Sequence, residues 1–105
     1  MFAELGGFFP VCQNSKWGFI DRRGMFSIDP CFNKASSFSE GLASIEIDGR
    51  WGYIDQSGTL VINPVFDHAY PFSGGRAIVG IGSKMVYIDR IGNFIRGPME
   101  MIIIR

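Results

Sequence analysis

The chain has 105 residues, and its ten Lys and Arg balance ten Asp and Glu, so the formal charge is zero. Neutralising a run of phosphates needs a basic excess, which argues against nucleic acid as a partner. The length fits one domain with a modest core. Cys12 and Cys31 are too few and too far from other soft ligands to read as a disulfide scaffold or a thiolate metal site.

Met1 to Pro10 is rich in Phe and Gly and carries Glu4 where a signal peptide has a basic flank. With two reduced thiols, this points to a cytoplasmic chain. Gly7 to Ser15 then matches the end of a unit whose full copies are Lys16 to Gly49 and Arg50 to Ser83. At an offset of 34, these two copies are identical at fourteen of 34 positions. The matches include Trp17 with Trp51, Gly18 with Gly52, Asp21 with Asp55, Gly24 with Gly58 and Pro30 with Pro64. A partial third copy from Lys84 keeps Tyr87, Ile88, Asp89, Gly92 and Pro98 in phase. The map is one repeat domain over 1–105: partial unit 7–15, units 16–49 and 50–83, degenerate partial unit 84–98, and apolar tail 99–105.

A period of 34 is also that of a helical tetratricopeptide array, so periodicity within the unit has to decide the fold class. Ala43, Ile45 and Ile47 alternate with Ser44 and Glu46, and Ala77, Val79 and Ile81 repeat the pattern, which is the two-residue period of a strand. Asn14-Ser15, Asp48-Gly49 and Gly82-Ser83 follow as hairpin dipeptides that tolerate positive φ. The second strand, Lys16 to Asp21 and its copies, ends in Asp-x-x-Gly at Asp21, Asp55 and Asp89, the pattern of a type I turn closed by Gly24, Gly58 and Gly92. A third strand such as Thr59 to Ile62 is expected to stop at Pro64, which cannot donate to a ladder. Each unit is thus a three-strand β-meander followed by a connection through Phe66, Ala69 and Phe72. The chain opens and closes in mid-unit, so two architectures fit: a compact closed assembly pairing the first strand with Lys84 to Asp89, or a short solenoid-like array.

Lys16-Trp17-Gly18-Phe19-Ile20-Asp21, repeated as Arg50-Trp51-Gly52-Tyr53-Ile54-Asp55, resembles the signature of the WG (KWG) β-repeat family of bacterial proteins. Phe38-Ser39-Glu40-Gly41-Leu42-Ala43 and Ile28-Asp29-Pro30 fit the same pattern, so the resemblance covers nearly the whole chain. It implies a repeat array used for binding or scaffolding and no defined chemistry. The third copy departs from it, with Met85-Val86 in place of Trp-Gly, as a capping repeat would.

Candidate chemistry competes with packing at each repeated residue. Trp17 and Trp51 read as core anchors, with Gly18 and Gly52 admitting a neighbouring strand; a stacking platform for a sugar or base is the alternative. The three aspartates occur one per turn, whereas calcium needs about six oxygens, so no metal site is expected. His68, the single histidine, reads as a loop residue beside Phe66, and no nucleophile motif accompanies it. Positions that vary between copies, namely Glu46 with Cys12 and Gly80, Lys34 with His68, and Leu42 with Phe8 and Arg76, read as solvent-facing. Nothing clusters as a catalytic site should. The expectation is a non-catalytic module for protein binding or scaffolding, without cofactor or membrane contact, and alternatively a carbohydrate- or small-ligand-binding domain using repeated aromatics. The strand-prone tail Ile102 to Ile104 is expected either to complete the domain's own sheet or to form a homodimer edge.

Overall fold

The computed structural model describes residues 7–95, all of whose regular elements are strands. Pro98 and the tail Ile102 to Ile104 lie outside the described residues. The first sheet has the order β1-β2-β3, formed by Phe9–Gln13, Lys16–Ile20 and Phe26–Phe32. The second has the order β4-β5-β6-β7, formed by Lys34–Ala35, Ala43–Ile47, Arg50–Ile54 and Leu60–Phe66. The third has the order β11-β10-β9-β8, from His68–Ala69 (β8), Arg76–Ile81 (β9), Lys84–Asp89 (β10) and Phe94–Ile95 (β11). Every pairing is antiparallel.

The hairpin dipeptides form the tight turns. Asn14 and Ser15 have φ of 55° and 70°, Asp48 and Gly49 have 51° and 88°, and Gly82 has 61°. Two successive residues at positive φ match the twist of the flanking strands. Side chains from the preceding strand's end close two of these turns: Asn33 Oδ1 accepts from Asp48 N–H at 2.8 Å, and its counterpart Asp67 Oδ2 accepts from Gly82 N–H at 2.7 Å.

Two expectations about strand ends are corrected. The third strand does not stop at proline: β3 and β7 run through Pro30 and Pro64 to Phe32 and Phe66. Trp17 pairs with Phe32 and Phe19 with Ile28, so Asp29, Pro30 and Cys31 stand opposite Gly18 alone; in the next copy Asn63, Pro64 and Val65 stand opposite Gly52. Inside such a bulge no ladder N–H is required, and proline is tolerated. The connecting segment is likewise no loop, since Lys34–Ala35 and His68–Ala69 are short fourth strands, which places His68 opposite Gly80.

The cores lie between sheets. Phe19, Ile28 and Phe32 of the first sheet meet Ala43, Ile45 and Ile54 of the second. Tyr53, Ile62 and Phe66 on the other face of the second sheet, with Leu42 and Phe72, meet Ala77, Val79 and Ile88 of the third. The second sheet is therefore covered on both faces. That explains why Ser44, polar and on the face away from Ile45, is buried, its hydroxyl 2.6 Å from that of Ser36. It also overturns the solvent-facing reading of Leu42, while its equivalent Arg76 is exposed as that reading expects. Leu42 is buried, Phe8 packs on the first core, and Arg76 lies 4.7 Å over the ring of Tyr87.

The closed alternative is not realised among the described residues. β1 pairs with β2, and β10 pairs with β9 and β11, in separate sheets of an open array.

Candidate interaction surface

The repeated signature residues are held by backbone geometry. A Cβ on Gly18 would sit 2.5 Å from Ile28 O and 2.7 Å from Pro30 N, and one on Gly52 would sit 2.4 Å from Ile62 O and 2.7 Å from Pro64 N. The bulge thus lies directly against the glycine. Trp17 and Trp51, flanking it, are half-buried against the first and second core respectively, while the next residues on the same face, Phe19 and Tyr53, are fully buried. Phe19 packs on Phe38 at 4.8 Å between centroids, and Tyr53 packs edge-on to Phe72 at 4.9 Å while donating its hydroxyl to Tyr70 O at 2.6 Å. Loss of solvent pushes the Tyr53 hydroxyl well above the usual phenol range.

The three aspartates close their own turns. Asp21 Oδ1 accepts from the N–H groups of Arg23 and Met25, Asp55 Oδ1 from Ser57 and Thr59, and Asp89 Oδ1 from Ile91 and Asn93, all at 2.9–3.0 Å. Each carboxyl is held below the ordinary carboxylate range, by the Met25 N–H above all at Asp21, by the Ser57 hydroxyl at Asp55, and by the Asn93 N–H at Asp89. Gly24, Gly58 and Gly92 take the positive φ, 85–94°, that the turn needs. A Cβ on Gly58 would sit 3.4 Å from Ile28 Cγ1 of the preceding sheet, and one on Gly92 would sit 3.4 Å from Ile62 Cγ2, so each glycine lies against an isoleucine side chain.

Glu40 ties one repeat to the next. Its two carboxylate oxygens accept from the N–H groups of Gly74 and Gly75 at 2.6 and 3.0 Å, while Arg90 donates to its carbonyl oxygen at 2.7 Å. Beside it, Ser39 Oγ donates to Phe72 O at 2.7 Å. Position 40 becomes Gly74 one repeat later, so this clamp is made by one copy only.

Residues with other chemistry stay apart. His68 is exposed and its ring makes no hydrogen bond or ion pair among the described residues, and no group of three His, Cys, Asp or Glu among them could hold a metal ion. Cys12 and Cys31 are free and exposed. No helix of the described residues is long and apolar enough to cross a membrane.

What repeats on the surface is apolar. Phe26, Leu60 and Phe94, each 34 residues from the next, open the third strands and are 37 %, 40 % and 66 % exposed. They pair with Ile20, Ile54 and Ile88. Sequence reasoning passed over this stripe, although an apolar residue after every Asp-x-x-Gly turn was the available signal.

The repeat profile called the WG containing repeat matches residues 17–51 and 51–84, in the phase set by the two tryptophans. Comparison with curated proteins and with solved structures finds no match. With two tandem matches over most of its length, and with the Trp-Gly pair explained by the bulge it faces, the chain belongs to the WG containing repeat family.

Proposed function

We propose that the chain is a non-catalytic repeat module that binds or scaffolds another protein along the stripe Phe26, Leu60 and Phe94. The observation that carries this reading is the same apolar position left exposed in three successive repeats, which presents a spaced row of contacts along the array. The repeated polar groups point the same way, since the three aspartates are engaged with the backbone of their own turns. A sugar-binding reading calls for free aromatic faces, and Trp17 and Trp51 are packed against the cores.

The test is a photo-crosslinking residue at Leu60, with the same residue at exposed Asn14 as control. Adducts specific to position 60 are identified by mass spectrometry and the binding repeated with purified partner. L60E is expected to weaken that binding at least tenfold and leave thermal unfolding unchanged. Adducts equal at both positions, or glycan binding lost on Trp51→Ala but kept in L60E, would overturn the proposal.

A further inference from the structure

The second and third sheets carry an equivalent row of residues across their strands, and every member of the row differs between them. In the second sheet it runs Lys34, Glu46, Trp51, each directly opposite the next. Lys34 and Glu46 form an ion pair at 3.9 Å, and Trp51 packs on the second core. In the third sheet the row runs His68, Gly80, Met85. It has neither the charge pair nor the indole, and its middle position has no side chain. Along the chain, Lys34 with His68 and Glu46 with Gly80 read as separate solvent-facing variation; the strand register gathers them, with Met85, into one place.

With no side chain in the middle, the flanking ones converge. A Cβ on Gly80 would sit 3.2 Å from His68 Cδ2 and 3.3 Å from Met85 Sδ. The thioether sulfur and the ring edge that carries Nε2 therefore close over the glycine from the strands on either side of it. The row lies on the face of the third sheet turned away from Ala77, Val79 and Ile88, with His68 exposed and Met85 half-buried, so an ion can reach it from solvent. Because one of the two donors is a thioether, the pair belongs to no cluster of His, Cys, Asp and Glu.

We propose that His68 Nε2 and Met85 Sδ bind a soft monovalent ion of the copper(I) class over Gly80. Thioether sulfur is not among the usual donors to zinc, calcium or magnesium, whereas it selects copper(I), which imidazole also suits. Copper(I) is satisfied by a pair of donors on opposite sides of it, and residues flanking a bare glycine from two strands supply that arrangement. The equivalent row of the second sheet offers an ion pair and an indole, and in the first sheet Cys12 stands opposite Trp17, so this pair of donors occurs once in the array. The site lies apart from the stripe at Phe26, Leu60 and Phe94 and does not depend on it.

Cys12 and Cys31 are exposed thiols that compete for soft ions, so binding is measured in the full chain carrying Cys12→Ser and Cys31→Ser. Silver(I), a redox-stable stand-in for copper(I), is titrated into that chain with its methionine methyl groups labelled. The Met85 methyl and His68 ring resonances are expected to shift together and to saturate at one ion per chain. Copper(I) in competition with a chelating dye should report the same site, weakened about tenfold or more by Met85→Leu or His68→Gln at an unchanged unfolding midpoint. Gly80→Val, which keeps both donors and separates them, should weaken it likewise. Shifts confined to other methionines, binding that survives both Met85→Leu and His68→Gln, or zinc(II) bound as tightly as copper(I) would overturn the proposal, and none of these results bears on adducts at Leu60.

Discussion

β6 and β10 occupy the same place in successive repeats and differ in what lies against them. β6 reads Trp51-Gly52-Tyr53 and has a sheet on either face and the Pro64 bulge over its glycine. β10 reads Met85-Val86-Tyr87, is covered by the second sheet on one side, and places Val86 in the second core. Arg76 lies over the ring of Tyr87, where Tyr53 has Phe72 against its edge. Among the described residues, the Trp-Gly pair stands where a bulged strand lies over the glycine and a further sheet packs on the strand.

Three measurements bear on that contrast. The largest effect is expected at the tyrosines: Tyr53→Ala removes a fully buried ring and should cost about 4 kcal/mol in urea unfolding, whereas Tyr87→Ala, at a half-buried site, should cost about 1 kcal/mol. Equal losses would abolish the distinction between interior and terminal strands. Next, Gly52→Val, which installs the side chain β10 tolerates, drives a Cβ into Ile62 O and the Pro64 bulge and should cost about 3 kcal/mol or more. The reverse change, Val86→Gly, should cost about 1–2 kcal/mol through lost packing and chain entropy.

The smallest effect is one in which the two repeats should agree. The carboxyls of Asp55 and Asp89 are both depressed in the folded chain, so their contribution is complete above the unfolded carboxylate pKa, about 4, and lost as pH falls through the folded values. Urea midpoints should therefore be level from about pH 7 to pH 5 and decline below about pH 4. Asp55→Asn and Asp89→Asn should flatten that decline to the same degree. A difference between them would mean that the turns, too, depend on their place in the array.

The period, the hairpin dipeptides, the Asp-x-x-Gly turns and the strand class were legible because each is set within a few residues. The fourth strands were not, since Lys34–Ala35 and His68–Ala69 are too short to show alternation. Pro64 looked like a stop because a bulge is visible only in the register with the partner strand. Leu42 looked solvent-facing because Phe8, Leu42 and Arg76 differ, yet Leu42 fills a core while Arg76 stays exposed. The exposed stripe was hidden by a second irregularity. Phe26 and Ile28 are two apart and should share a face, but the shift at Ser27 pairs them with Ile20 and Phe19, which point to opposite faces. One is left at the edge and the other buried.

Placing the cores between sheets has a consequence for folding. A single meander has no second layer to bury its apolar residues against, so the smallest cooperative piece is a pair of adjacent sheets. Stability then grows with the number of junctions, one for each sheet added, and unfolding begins where a sheet has a neighbour on one side only.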